Sequence, residues 1–98
     1  MPISVEGKVV VITGGAGEMG SSIARRLVRE GAKVVVADVR EDATLMRELG
    51  GAGEAIFVRT DVTSESETRA MAAAALDAYG RIDVLINNAG LFTALPWD

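Results

Sequence analysis

The sequence of 98 residues contains neither cysteine nor histidine. Without cysteine the chain forms no disulfide bond and offers no thiolate to a metal ion. Without histidine it also lacks the commonest metal ligand and the usual general base. We therefore expect no metal site in this chain, and acid–base chemistry within it would need other side chains.

Long apolar runs are also missing. The longest uninterrupted one covers only residues 70–76, far short of the ~20 residues that span a bilayer. Residues 1–7 lack the apolar stretch of a secretory signal peptide. We therefore expect a soluble cytoplasmic protein that does not bind membranes.

Charged residues of both signs are scattered along the chain. The formal net charge is −4, and no basic stripe is present that could neutralise a nucleic-acid backbone, so nucleic acid is not an expected partner. Apolar residues make up 49% of the chain, which indicates a folded core. The length allows one domain or part of one and excludes a second full domain.

Four short apolar runs predict four strands. They cover residues 9–12, 34–37, 55–58 and 82–86. Each lacks the alternation of apolar and polar residues that is typical of a strand with one solvent-exposed face. Such runs are typical of strands buried on both faces of a parallel sheet. We therefore expect four buried, parallel strands.

Three helical patterns separate these runs. Apolar residues at helical spacing predict a helix over residues 19–30, and a shorter amphipathic helix falls around residues 45–49. Ser64 and Glu67 have the spacing of a capping box, and the alanine-rich helix that follows is predicted to end at residues 79–80. Strands alternating with helices predict an α/β fold with a doubly wound parallel sheet in the order 3-2-1-4. The first two helices should cover one face and the third helix the other.

A glycine-rich segment, residues 13–20, lies between the first strand and the first helix. Gly15, Gly17 and Gly20 spell G-x-G-x-x-G, and the unpaired amides that open a helix attract an anion such as a pyrophosphate. The string alone is equally compatible with a tight turn that binds nothing. Asp38 adds weight because it ends the second strand 18 positions after Gly20, where an acid accepts hydrogen bonds from an adenosine ribose.

Asp38 also bears on the choice of cofactor. Its carboxylate would repel the 2′-phosphate of NADP, whereas it would pair with the free ribose hydroxyls of NAD. Arg40 lies close enough to offer a phosphate a counter-charge. NAD is therefore the expected cofactor and NADP the less favoured alternative.

Taken with Asp61-Val62 and the N-N-A-G segment at residues 87–90, these features resemble the short-chain dehydrogenase/reductase family along nearly the whole chain. The resemblance implies a partial Rossmann-type fold of four strands and three helices. It implies that the glycine turn holds the pyrophosphate and Asp38 the adenosine ribose. It also implies that Asp61-Val62 borders the adenine ring and that residues 87–90 pass beside the ribose groups. The cofactor-binding residues that follow are Gly14, Gly17, Met19, Gly20, Asp38, Asp61, Val62, Asn88, Ala89 and Gly90. A purely structural role for the two asparagines stays open.

The sequence departs from the family at Glu18. The family turn usually reads T-G-x-x-x-G-x-G, and Glu18 stands at the position of the middle glycine. A carboxylate at a helix N-terminus is favoured by the same dipole that would otherwise serve a phosphate. We therefore expect Glu18 to weaken NAD binding.

The family's catalytic serine, tyrosine and lysine, with a helping asparagine, follow the N-N-A-G segment. Tyr79 precedes that segment and does not begin the family's Y-x-x-x-K spacing, so we expect no catalytic residue in this chain. Residues 1–98 are then the N-terminal part of a single dinucleotide-binding domain of about 250 residues, inactive alone and with an open apolar edge at the fourth strand.

The function implied is hydride transfer between the nicotinamide of NAD and a small alcohol or ketone, by a protein that forms a homodimer or homotetramer at full length. Two alternatives stay open. One is a nucleotide-binding module or excised half-fold without catalysis. The other is a purely structural α/β domain.

Overall fold

A computed structural model describes residues 4–51 and 53–88 of the chain. The elements are β1 (Val9–Thr13), α1 (Glu18–Arg29), β2 (Lys33–Asp38), α2 (Ala43–Glu48), β3 (Ala55–Arg59), α3 (Glu65–Tyr79) and β4 (Val84–Asn87). The predicted alternation of strands and helices is confirmed, with ends that shift by one or two residues. Residues 91–98, whose sequence has neither a helical nor a strand pattern, lie outside the described residues.

The four strands form one parallel sheet in the order β3-β2-β1-β4, as the sequence predicts. Val11 of β1 is paired with Val35 of β2 on one side and with Leu85 of β4 on the other. Because every strand runs in the same direction, their carboxyl ends meet at one edge of the sheet. The loops that follow the strands therefore gather at that edge.

Alternate residues of β1 and β2 face two separate hydrophobic clusters. The cluster under α1 and α2 contains Val10, Ile12, Ala24, Val34, Val36, Leu45 and Leu49. The cluster under α3 contains Val11, Val35, Ala37, Met71 and Ala75. Both central strands are thus buried on both faces, which explains their unbroken β-branched runs. The predicted placement of two helices on one face and one on the other is confirmed.

The expectation that β4 is buried like the other strands is wrong. Val84 is 41% exposed and Leu85 is 58% exposed. β4 lies at the edge of the sheet and pairs with β1, whereas the helices of the described residues pack chiefly over β1, β2 and β3. Its apolar sequence therefore leaves the open apolar edge that the sequence predicts.

The predicted capping box at the start of α3 forms only in part. Ser64 Oγ accepts a hydrogen bond from the Glu67 amide at 3.3 Å, as a cap residue should. The Glu67 carboxylate does not return to the Ser64 amide, because that amide donates to the Asp61 carbonyl at 2.9 Å. Instead, Glu67 Oε1 accepts from the amide of Asp61 at 2.9 Å. The Glu67 carboxylate, which would accept from the cap residue in a complete capping box, thus accepts from the loop before the helix.

Asp83 joins β4 to β1 at the amino edge of the sheet. Its Oδ2 accepts a hydrogen bond from the Val9 amide at 2.8 Å, and its Oδ1 contacts Arg81 Nη2 at 2.6 Å. The Arg81 hydrogen bonds, followed by the Val9 bond, hold the pKa of Asp83 below its usual value.

We expect Asp83→Asn to destabilise the protein at neutral pH and to be nearly neutral in strong acid. A carboxyl whose folded pKa is lowered stabilises the fold above its unfolded pKa of about 3.9 and loses that contribution as the pH falls through the folded value. Urea unfolding of both proteins from pH 7 to pH 2 measures the difference. Asp77→Asn, which removes an exposed carboxylate from α3, is the control. A gap between wild type and Asp83→Asn that stays constant across this range would contradict the prediction.

Candidate functional site

The sequence-predicted site residues of the described chain gather at the carboxyl edge of the sheet. The glycine turn follows β1, Asp38 ends β2, Asp61 follows β3 and Asn88 follows β4. In open parallel sheets, ligands bind at this edge, where the strand order reverses. Here β1 lies between β2 and β4, so the reversal falls beside the glycine turn.

The glycine turn is held by close backbone packing. Gly14 has a φ of +66°, a conformation that favours glycine. A Cβ on Gly20 would overlap the Gly14 carbonyl oxygen and lie 2.8 Å from Gly15 Cα. Gly17 is different, because a Cβ there would meet, within residues 4–51 and 53–88, only the Gly14 carbonyl oxygen, at 3.4 Å. Gly14 and Gly20 therefore shape the turn, whereas Gly17 leaves open space in front of it.

The N-terminus of α1 opens directly from this turn. Gly17 is its N-cap residue and supplies no side-chain capping bond, so the cap itself does not satisfy the first amides of the helix. Glu18 and Met19 follow at the surface, and Met19 is 68% exposed. The carboxylate of Glu18 thus lies in the first turn of the helix. This is the place where an anion gains most from the helix dipole.

Asp38 connects the end of β2 with the glycine turn. Its Oδ2 accepts a hydrogen bond from the Ala16 amide at 3.0 Å, and its Oδ1 accepts one from the Val39 amide at 2.7 Å. Sequence reasoning assigned Asp38 only to a ribose and missed Ala16. The register of the two strands explains the contact, because the pairing of Thr13 with Ala37 places Asp38 level with the start of the turn.

A cleft of about 500 Å³ lies between the turn and the loop that follows β2. Its lining residues are Ala16, Gly17, Asp38, Val39, Arg40, Glu41, Asp42, Ala43 and Thr44. Three carboxylates and one guanidinium give this lining a formal charge of −2. The cleft therefore favours an uncharged, hydroxyl-bearing group over an additional phosphate.

Asn87, the last residue of β4, and Asn88, which follows it, bond to the glycine turn and to the end of β1. Thr13 Oγ1 lies 3.2 Å from Asn87 Oδ1 and accepts a hydrogen bond from the Asn88 amide at 3.0 Å. Asn88 Nδ2 donates to the Gly14 carbonyl at 3.2 Å. The structural role left open for these asparagines is therefore present. Ala89 and Gly90, the other predicted contacts in this segment, lie outside the described residues.

Asp61 begins the loop after β3, next to the end of β2. The amide of the preceding residue, Thr60, donates to the Asp38 carbonyl at 2.8 Å. Asp61 Oδ1 accepts from the Thr63 hydroxyl at 2.6 Å and from its amide at 2.9 Å. These bonds, the hydroxyl first, hold the pKa of Asp61 below its usual value. Asp61 and Val62 thus form a half-buried, ordered loop beside the Asp38 cleft.

Tyr79 lies far from this edge. It ends α3 and packs against the cluster under that helix. Burial and, to a smaller extent, the nearby Glu54 carboxylate raise the pKa of its phenol. A tyrosine that acts as a general acid or base near neutral pH needs its pKa lowered, whereas the surroundings of Tyr79 raise its pKa.

Within residues 4–51 and 53–88, no group of three or more acidic side chains is arranged to hold a metal ion. In the same part of the chain, no helix combines the length and the apolar character needed to cross a bilayer.

The parallel sheet in this order, with a glycine turn at its carboxyl edge, defines a Rossmann-type α/β domain. The family model for "short chain dehydrogenase" matches residues 8–97. The chain therefore belongs to the short chain dehydrogenase family, as the sequence resemblance implies.

Curated relatives from distant organisms are similar to this chain. The 3-hydroxyacyl-CoA dehydrogenase type-2 of Rattus norvegicus is 47% identical over 94 residues, which cover 94% of this chain and 35% of that protein. The uncharacterized oxidoreductase YuxG of Bacillus subtilis (strain 168) is 43% identical over 96 residues, which cover 93% of this chain and 14% of that protein. The chain thus spans about a third or less of the length of these relatives.

Solved structures are also similar. A 3-ketoacyl-(acyl-carrier-protein) reductase from Brucella melitensis, complexed with NADH, matches with a TM-score of 0.83 and 38% identity over 89% of this chain and 36% of that one. A short chain dehydrogenase/reductase from Burkholderia phymatum, in complex with NAD, matches with a TM-score of 0.83 and 40% identity over 91% of this chain and 33% of that one. These similarities establish the fold, and both of these structures contain a nicotinamide dinucleotide.

Proposed function

We propose that this chain is the cofactor-binding part of an NAD-dependent oxidoreductase that transfers hydride between nicotinamide and an alcohol or ketone. The observation that carries the proposal is the position of the Asp38 carboxylate. It lies 3.0 Å from the Ala16 amide, so a ribose acceptor and an anion-binding turn share one cleft. NAD and NADH in the neighbouring structures support the same cofactor class.

The residues present fit a dinucleotide from the diphosphate to the adenine. The open space at Gly17 admits a diphosphate to the amides that begin α1, with Met19 and Gly20 in the same turn. Asp38 accepts from the ribose hydroxyls, and Asp61 and Val62 border the adenine ring. The other proposed contacts to the cofactor are Gly14, Asn88, Ala89 and Gly90.

A bound dinucleotide would supply or accept the hydride at its nicotinamide, and the residues named above would hold its diphosphate and its adenosine. We place the catalytic groups outside residues 1–98, which form the N-terminal part of a single dinucleotide-binding domain. The proposal includes a cytoplasmic homodimer or homotetramer at full length. It favours NAD over NADP because the cleft is acidic and because Arg40 is its single cation.

Isothermal titration of the chain with NAD and with NADP tests the proposal. We expect saturable binding of NAD and weaker binding of NADP. Flat titrations with both ligands would leave only a structural domain, and tighter binding of NADP would reverse the cofactor assignment.

We expect Glu18→Gly to bind NAD more tightly than the wild-type chain. Glu18 occupies the first turn of α1, where its charge repels a diphosphate and competes for the helix dipole, an effect of about 0.3–1 kcal/mol. Affinity should therefore rise about two- to fivefold at low salt, and the gain should shrink as salt is added. Calorimetry at two ionic strengths measures it.

Glu18→Gln separates the charge from the glycine backbone. It removes the carboxylate charge but keeps a side chain of the same length. If charge is the cause, Glu18→Gln gains nearly as much affinity as Glu18→Gly. Equal or tighter binding by the wild-type chain would contradict the prediction.

A further inference from the structure

Glu67 directs its carboxylate away from its own helix and toward the loop after β3. Its Oε1 accepts from the Asp61 amide at 2.9 Å and lies 3.4 Å from Arg59 Nη1. The side chains of Arg59 and Glu67 are 65% and 38% exposed, so this ion pair is screened and contributes little. The hydrogen bond to the Asp61 amide is therefore the main interaction between the Glu67 side chain and the loop.

A second backbone group of the same loop is also hydrogen-bonded to the start of α3. The Asp61 carbonyl accepts from the Ser64 amide at 2.9 Å, and Ser64 Oγ in turn accepts from the Glu67 amide at 3.3 Å. Both backbone polar groups of Asp61 are thus bonded to the start of α3. The loop is tied to the helix by three hydrogen bonds, and Glu67 takes part in two of them.

We propose that Glu67 is a positioning residue that makes the site selective for adenine over hypoxanthine by fixing the backbone of Asp61 and Val62. This inference rests on the proposed function, in which these two residues border the base.

The selectivity follows from complementary hydrogen-bonding groups. Adenine presents a donor at its 6-amino group and an acceptor at N1, whereas hypoxanthine presents an acceptor at position 6 and a donor at N1. A carboxylate at Asp61 next to the amide of Val62 offers an acceptor beside a donor, which matches adenine and opposes hypoxanthine. Such discrimination depends on hydrogen-bond distance and angle, so it weakens when the loop is released.

The experiment compares NAD with its analogue that carries hypoxanthine in place of adenine. Both are titrated into the full chain as wild type, Glu67→Ala, Glu67→Gln and Glu65→Ala. Glu65 is the matched control, because it lies in the same helical turn but pairs with Arg69 at 3.0 Å instead of the loop. We expect the affinity ratio of NAD to the analogue to fall about fivefold in Glu67→Ala. It should stay within about twofold of wild type in Glu67→Gln, whose amide oxygen still accepts from Asp61, and in Glu65→Ala.

The outcomes separate the two proposals. If wild type binds neither ligand, the proposed function fails and this inference fails with it. If wild type binds NAD but the ratio is unchanged in Glu67→Ala, or both ligands weaken equally, only the role of Glu67 is overturned. Should Glu67→Ala fail to fold, Glu67→Asp replaces it, because its shorter side chain withdraws the acceptor from the Asp61 amide while keeping the charge. The same fall in ratio is then expected, and an unchanged ratio overturns the inference.

Discussion

Gly20→Ala should cost this chain about 2 kcal/mol of unfolding free energy and most of its affinity for NAD. The added Cβ would overlap the Gly14 carbonyl oxygen and lie 2.8 Å from Gly15 Cα and 2.9 Å from Asn88 Nδ2. Two of these neighbours are backbone atoms, so no side-chain rotation relieves the overlap. Overpacking of this kind costs about 3 kcal/mol at its upper range, and alanine returns about 1 kcal/mol through its helix propensity.

The loss of affinity follows from the displaced turn. The strand-to-helix turn must move to admit the methyl group, and the amides that would face the diphosphate move with it. Losing one charge-assisted hydrogen bond of about 1.5–3 kcal/mol lowers NAD affinity about tenfold or more. Urea unfolding gives the stability and calorimetry gives the affinity.

Gly17→Ala is the matched control for the stability measurement. It adds the same methyl group three residues earlier, where, among the described residues, only the Gly14 carbonyl oxygen lies within 4 Å, at 3.4 Å. We expect a loss of about 0.5 kcal/mol, from the weaker N-cap. If Gly20→Ala is as stable as Gly17→Ala, the close packing at Gly20 does not shape the turn.

The elements and their order could be predicted from the sequence because the buried strands consist of uninterrupted apolar runs. The runs in β1 and β2 are apolar at every position since both faces are covered, and this pattern is visible without coordinates. The same pattern misleads at β4, whose residues are equally apolar but lie at an edge with Leu85 exposed. An apolar run shows that a strand is suited to burial. Whether its side chains are in fact buried depends on the position of the strand in the sheet.

The edge of the sheet at which the candidate residues lie could be predicted from the sequence, but their contacts could not. The spacing of the glycine turn and Asp38 placed both at one edge of the sheet. The bonds from Ala16 to Asp38 and from Asp61 to Glu67 were missed, because each depends on side-chain geometry after the strands have aligned. Residue type alone could not decide between the cap and the loop as the partner of Glu67.

Asp38→Asn should shift the preference between NAD and NADP by about two orders of magnitude toward NADP. In the proposed complex the wild-type carboxylate would make charge-assisted bonds to ribose hydroxyls, which are roughly twice as strong as those of a neutral amide, and their loss would amount to about 1.4 kcal/mol or more. Removing the negative charge also relieves repulsion of a 2′-phosphate, by at least a similar amount at an effective dielectric constant of about 20. Each 1.4 kcal/mol is tenfold in affinity, so the two effects multiply to about a hundredfold.

Two further variants separate charge from geometry in this result. Asn at position 38 keeps an oxygen that can accept from the Ala16 amide, whereas Asp38→Ala leaves that amide without its partner at 3.0 Å. Asp38→Ala should therefore lose NAD affinity as Asp38→Asn does, and should lose about 1 kcal/mol of stability besides. Glu41→Gln removes one negative charge from the same cleft but leaves the Asp38 carboxylate in place. An equal shift in Glu41→Gln would make the preference a property of the overall charge, and no shift in Asp38→Asn would remove Asp38 from the ribose site.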